Sequence, residues 1–145
     1  MMHNSLPDEN QKRFVAVLSK KLELGRTFNV LGHISVGLSA QLEQGMAHFV
    51  DYTDKDGQVH PSLSHYPFIV LKADNSNKIR KIREAALAKG VMFTDFTHTM
   101  TDGGSLHQQA ITAETAEVDL EYMGIGLFGD AETLKEMTKK FSLYR

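Results

Sequence analysis

Apolar residues fall along this chain in two alternating patterns, short continuous runs and steps of three or four. Phe14-Val15-Ala16-Val17-Leu18 is a continuous run, as expected of a strand covered on both faces. After a loop over 22–26, the residues Phe28, Leu31, Ile34, Leu38 and Leu42 predict an amphipathic helix over 27–44. Gly32 and Gly37 within it each cost about 1 kcal/mol relative to alanine, which is tolerable where another element packs closely. A second strand is predicted over 47–52, followed by an Asp-Gly turn at 54–57. A third follows over 66–71, with Pro67 at its start.

Asn75-Ser76-Asn77 supplies caps for a helix carrying Ile79, Ile82, Ala86 and Leu87, which ends at Lys89-Gly90 in a basic turn and a C′ glycine. The run Val91-Met92-Phe93-Thr94-Asp95-Phe96 predicts the next strand. The polar stretch 100–117 holds a short helix around 105–111. A last strand over 120–128 and a last helix over 131–140 complete the series, and Leu134, Met137 and Phe141 share one face of that helix. Alternation of this kind predicts an α/β fold with helices on both faces of a sheet. Residues 1–12 read as a flexible lead-in and 13–145 as one domain, with no repeat or linker to divide it.

Composition narrows the function classes more than it selects one. The 145 residues are 41% hydrophobic and 23% charged, with a net charge of -2, so no general pull toward nucleic acid is expected. The chain has no cysteine, which removes disulfides, thiolate metal sites and thiol nucleophiles and is compatible with a reducing cytoplasm. The first residues lack a long apolar run, so neither a secretory signal nor a membrane anchor is expected there. Lys78, Arg80, Lys81 and Arg83 alternate with Glu84, and Lys135, Lys139 and Lys140 with Glu132 and Glu136, the pattern of solvated helix faces.

Candidate chemistry gathers at a few positions. Asp95, Thr97, His98 and Thr99 sit at a strand end, where a carboxylate near hydroxyls can hold a water or a substrate hydroxyl; these residues also commonly satisfy backbone groups there. Asn29 and His33 lie four apart on one helix face and, beside Arg26, can form an anion-friendly cluster; as a cap and a packing histidine they would be structural. His60 and His65 near Asp54 and Asp56 match no familiar metal-loop spacing, and no metal site or cofactor is expected. Ser62, Ser64 and Ser105 lack a Gly-x-Ser-x-Gly elbow. Gly124-Ile125-Gly126 lies within a strand with no Gly-Lys-Ser/Thr after it, so close packing explains its glycines better than a phosphate does.

Three blocks in order resemble the type II peptidyl-tRNA hydrolases: Leu24-Gly25-Arg26-Thr27-Phe28, Asp95-Phe96-Thr97-His98-Thr99, and Gly124-Ile125-Gly126 followed by Ser142-Leu143-Tyr144. The chain is still more similar to an uncharacterised family of small, mostly bacterial domains grouped in that superfamily, which share an Asp-Gly-x-Val-His-Pro turn like 56–61 here. The resemblance implies a three-layer α/β/α fold around a four-stranded mixed sheet with one antiparallel strand. It places the active site where the first strand–helix loop meets the strand carrying Asp and Thr, which makes Asp95 and Thr99 the catalytic candidates and Arg26, Asn29, His33, Thr97 and His98 the ligand-binding ones. The hydrolases carry two lysines in the first loop, and here those positions hold Arg26 and Phe28. Arginine keeps the charge but cannot act as a general base.

Two functions are therefore expected of the same pocket: a hydrolase acting on a small ester or amide, or a non-catalytic module that binds a small molecule or a second copy of itself. Peptidyl-tRNA hydrolysis ranks third. A nucleic-acid or membrane partner is not expected.

Overall fold

The computed structural model describes residues 6–145, so part of the expected lead-in lies outside the described residues. The first strand, β1, spans Lys12–Ser19. Phe14 to Leu18 are 5% exposed or less, so the continuous apolar run is a strand covered on both faces.

The first helix, α1 (Leu24–Ala40), starts three residues ahead of the sequence reading and takes in Gly25 and Arg26. Its first turn closes where Glu23 O accepts from Thr27 N at 2.9 Å and from Thr27 Oγ1 at 3.0 Å. Ile34 and Leu38 of the expected stripe are buried, but in the first turns Thr27 and Val30 take the inward positions expected of Phe28 and Leu31, and Phe28 is 62% exposed. The helix has apolar residues on several sides, so spacing alone could not say which stripe faces inward.

The chain continues through β2 (Phe49–Thr53), β3 (Val59–Ser64), β4 (Phe68–Ala73), α2 (Ser76–Lys89), β5 (Met92–Thr97), α3 (Ser105–Ala113), β6 (Tyr122–Asp130), α4 (Ala131–Thr138) and β7 (Ser142–Leu143). The α2 caps are those expected: Asn75 Oδ1 accepts from Lys78 N at 3.0 Å, and Gly90 takes the left-handed φ of 67° that ends the helix.

The main sheet has five strands in the order β5-β6-β1-β4-β7, not four. β4 runs parallel to β1, β6 antiparallel to β1, β5 antiparallel to β6, and β7 antiparallel to β4. The extra strand is two residues long, too short to show a period of its own, and forms because the chain end pairs with β4. β3 was also not expected; with β2 it makes a separate two-stranded sheet.

α1 covers one face of the main sheet, packing Val30 and Ile34 on Ala16, Leu18 and Phe96. α2 and α4 cover the other, packing Ile79, Ile82, Ala86 and Leu134 on Val15, Val17 and Leu127. The Gly-Ile-Gly strand is where α1 settles. A Cβ on Gly126 would stand 2.3 Å from Ile34 Cγ2, and one on Gly124 2.9 Å from Val30 Cγ1, so side chains there would lift the helix.

Candidate functional site

One flank of α1 carries Arg26, Asn29 and His33, and they line a cleft of about 580 Å³. Its floor is β5 from Thr94 to Phe96, and its far wall is the segment after β5: Met100, Thr101, Gly103, Ser105 and Gln108. The helix is held close over this floor, since a Cβ on Gly37 would stand 3.2 Å from Thr94 Cγ2. The His33 ring tilts over Phe96 with centroids 5.8 Å apart, which orients it along the cleft. Arg26 meets no carboxylate among the described residues.

The far wall is fixed by a chain of hydroxyls. Thr97 opens a 3₁₀ turn over His98–Met100, and its side chain accepts from Met100 N. Thr97 Oγ1 and Thr99 Oγ1 are 2.7 Å apart, Thr99 Oγ1 and Thr112 Oγ1 2.8 Å, and Thr112 Oγ1 donates to Gln108 O at 2.7 Å. A hydroxyl has one proton. Thr112 Oγ1 is the donor to Thr99 Oγ1 as well as to the Gln108 carbonyl, so its one proton serves both, and either of Thr97 and Thr99 can donate to the other. The three hydroxyls form one continuous chain. It ties α3, which buries no residue of its own, to the end of β5.

The structure thus divides the residues that the sequence grouped together. Arg26, Asn29 and His33 share the cleft. Thr97 and Thr99, 1% and 4% exposed, lie beneath its wall, inside the hydroxyl chain. Asp95 contributes to the floor, but strand alternation turns its carboxylate to the opposite face of the sheet. There Arg83 Nε donates to Asp95 Oδ2 at 2.9 Å, and the Arg83 guanidinium lies 5.4 Å from the Phe93 ring centroid. His98 turns toward the start of β6: its Nδ1 accepts from Glu121 N at 3.0 Å, which leaves the ring proton on Nε2.

Thr101 and Gln108 were not singled out from the sequence, and Ser105 was weighed there only as a nucleophile without its elbow. The Gly103-Gly104-Ser105 step into a short helix was the one visible sign of a turned wall there, and Gly103 does take a φ of 78°. The histidines of the Asp-Gly region go elsewhere: His60 Nε2 lies 2.8 Å from Asp54 Oδ2, and His65 Nε2 2.7 Å from Pro7 O.

A second cavity, about 550 Å³, lies beyond the carboxyl ends of β1 and β4, where open α/β sheets commonly hold ligands. Several of its polar groups already serve the fold. Lys78 Nζ donates to Asp74 at 2.9 Å, Arg80 Nε to Glu117 at 2.9 Å, and Tyr122 N donates to Ser76 Oγ at 2.7 Å, while Lys21 and Lys81 meet no carboxylate among the described residues. The cleft beside α1 is the better candidate because it gathers a forked arginine donor with Asn29, His33, Ser105 and Gln108.

The family model described as "Protein of unknown function (DUF2000)" matches residues 12–145, so the chain belongs to that family. Among solved structures, a protein of unknown function from Agrobacterium tumefaciens strain C58 matches with a TM-score of 0.79 at 20% identity, over 93% of this chain and 98% of that one. At that identity the likeness is one of fold. No curated protein matches the chain. Neither match is to a peptidyl-tRNA hydrolase. Among the described residues, no helix is long and apolar enough to cross a membrane.

Proposed function

We propose that this member of the DUF2000 family is a small-ligand-binding domain, and that Arg26 holds an anionic group of the ligand in the cleft between α1 and α3. The observation that carries the reading is the Arg26 guanidinium, which lines that cleft and has no carboxylate partner among the described residues. Arginine stays charged at any ordinary pH, and its forked donors match phosphate or carboxylate. Asn29, Ser105 and Gln108 add neutral donors and acceptors that would orient the rest of the molecule, and His33 adds an imidazole whose two ring nitrogens can donate or accept.

The second reading is a hydrolase of small esters or amides, the activity suggested by the likeness to type II peptidyl-tRNA hydrolases. It would use Asp95 and Thr99 in catalysis, with Thr97 and His98 beside the substrate. What favours it is that Asp95 borders the same cleft as Arg26. It ranks second because Asp95 must first leave Arg83, and Thr99 must leave the hydroxyl chain, before either can reach a substrate. Peptidyl-tRNA remains third. The proposal includes one domain over 13–145 and, from the lack of cysteine, a reducing cytoplasm as its setting.

Thermal unfolding in the presence of inorganic phosphate, phosphomonoesters and small carboxylates tests the binding reading. A ligand at a hundred times its dissociation constant stabilises by about 2.7 kcal/mol, a rise of several degrees. Arg26→Ala should remove that rise. Binding that survives Arg26→Ala would overturn the assignment of the site. Ester turnover lost in Asp95→Asn but kept in Arg26→Ala would move the second reading to first.

A further inference from the structure

We propose that two copies of this chain associate by exchanging their β2–β3 arms, each arm lying on the bare outer face of the other copy's α1. The arm is well formed but uncovered. Asp54 Oδ1 accepts from Asp56 N at 2.9 Å and from Gln58 N at 3.0 Å, and Gly57 closes the turn at a φ of 82°. A register shift in β3 brings Ser62 to a φ of 72° and adds local twist. The base is anchored, with His65 N donating to His48 O at 2.8 Å and Tyr66 3% exposed. Beyond that base every residue from 51 to 63 is exposed. Phe49, Tyr52, Val59 and Leu63 are 48%, 55%, 57% and 61% exposed, and they lie on both faces of the hairpin. A two-stranded hairpin with neither face covered is marginal in water.

The body has the matching deficiency. Leu24, Phe28 and Val36 form an outward ridge on α1 at four-residue steps and are 66%, 62% and 73% exposed. Gly32 stands between the last two, and a Cβ there would meet nothing, so the ridge has a shallow gap. In the whole of α1, Arg26 is the one formal charge, whereas the outer face of a surface helix is normally charged. Phe68 of β4, 40% exposed and stacked on Phe14 at 5.7 Å, adds to the bare surface on this side of the sheet.

Charge and area select a second copy over other occupants. Asp51, Asp54 and Asp56 against Lys55 make the arm acidic, which opposes nucleic acid and anionic lipid. Lys72, which alternation puts on the same face of β4 as Phe68, and Lys21 after β1 offer cations to that arm. One face of each hairpin, carrying Tyr52 and Leu63, can meet the helix, so six apolar side chains per copy at on the order of 100 Å² each give roughly 600 Å² per partner, the lower end of specific interfaces.

Sedimentation equilibrium of the full chain, with Leu63→Asp on the arm and Phe28→Asp on the helix, tests this. The wild-type chain should show twice its 16.2 kDa mass, and each variant should dissociate with its circular dichroism unchanged. Loss of a central apolar anchor should weaken association roughly thirtyfold or more. A wild-type chain that stays at 16.2 kDa at every concentration overturns the proposal. So does a dimer that survives Leu63→Asp, which would point to direct α1–α1 packing.

Discussion

Arg83 on α2 and Asp95 on β5 face each other on the side of the sheet opposite the cleft, with Arg83 Nε 2.9 Å from Asp95 Oδ2. Their side chains are 31% and 15% exposed, so water competes for the pair only in part. The pair decides what Asp95 can do. A carboxylate held from beneath by a guanidinium is a tie between helix and strand before it is a catalytic group.

Asp95→Asn is accordingly expected to lower stability by about 1–2 kcal/mol, because it replaces a charge-assisted bond with a neutral one and leaves Arg83 without its counter-charge. Ligand binding beside Arg26 should be unchanged. Urea unfolding of Asp95→Asn, Arg83→Met and the double variant gives the coupling directly. Full stability together with lost binding would return Asp95 to the site.

Thr99→Val keeps the shape of a buried side chain and removes the middle of the hydroxyl chain. Thr97 then loses a hydroxyl partner and Thr112 an acceptor, so a cost of about 1–3 kcal/mol is expected. α3 buries nothing of its own, so its amide protection should fall first. Hydrogen exchange that leaves α3 as protected as in the wild type would show that the hydroxyls are incidental.

The pH profile should carry the mark of Tyr122. Its hydroxyl donates to Glu117 Oε2 at 2.8 Å, and Arg80 Nε donates to the same oxygen at 2.9 Å. These bonds, the tyrosine's first, hold the Glu117 carboxyl below its usual range. Burial, and then the bond to Glu117, pushes Tyr122 up to about 12. For the lowered acid, the contribution to stability is present above its unfolded pKa and lost as pH falls through the folded one. For the raised phenol, it is full below 10.0 and lost as pH rises toward about 12. Tyr122→Phe should therefore lie below the wild type in stability at neutral pH, with the gap closing between pH 10.0 and about 12. A gap that stays constant across that range would rule out the linkage.

The elements that were legible in the sequence are those whose burial is one-sided or total. β1 was visible because both its faces are covered, and α2 because Asn75 and Gly90 punctuate it. α1 was visible as a helix, and Ile34 and Leu38 were rightly turned inward, but its first turns were misread, since Leu24, Phe28 and Val36 add an apolar stripe that faces solvent within one chain. β3 carries a register shift and has no buried face, so neither alternation nor hydrophobicity announced it. At the site, Arg26, Asn29 and His33 could be grouped because helix spacing is local. That Asp95 turns away from them depends on which face of β5 meets α2, and strand alternation fixes only relative sides. Ser105 and Gln108 join the cleft through a hydroxyl chain between residues far apart in sequence, and no single-segment pattern encodes that.

The chain end closes the sheet from both sides, so its removal is expected to be costly. Phe141 N donates to Thr138 O at 3.0 Å and the ring packs with the α2–α4 core, whereas Tyr144 N donates to Val70 O at 2.9 Å and its ring packs against the α1-side cluster that holds Val30 and Ile34. Between them, Ser142 and Leu143 pair with Lys72 and Leu71 and cover the free edge of β4. Leu143 itself is 49% exposed, so it contributes pairing more than burial. Phe141→Ala and Tyr144→Ala should each cost about 1–2 kcal/mol, below the figure for a fully buried ring because both are partly exposed, and Leu143→Ala much less. Deleting 141–145 should lower stability by about 3 kcal/mol, a large fraction of a typical 5–15 kcal/mol. It should also leave β4 as an unpaired edge that promotes association at high concentration. Urea midpoints and light scattering of the truncated chain measure the two effects separately. A truncated chain with the wild-type midpoint and no added scattering would mean that β7 contributes neither burial nor edge protection.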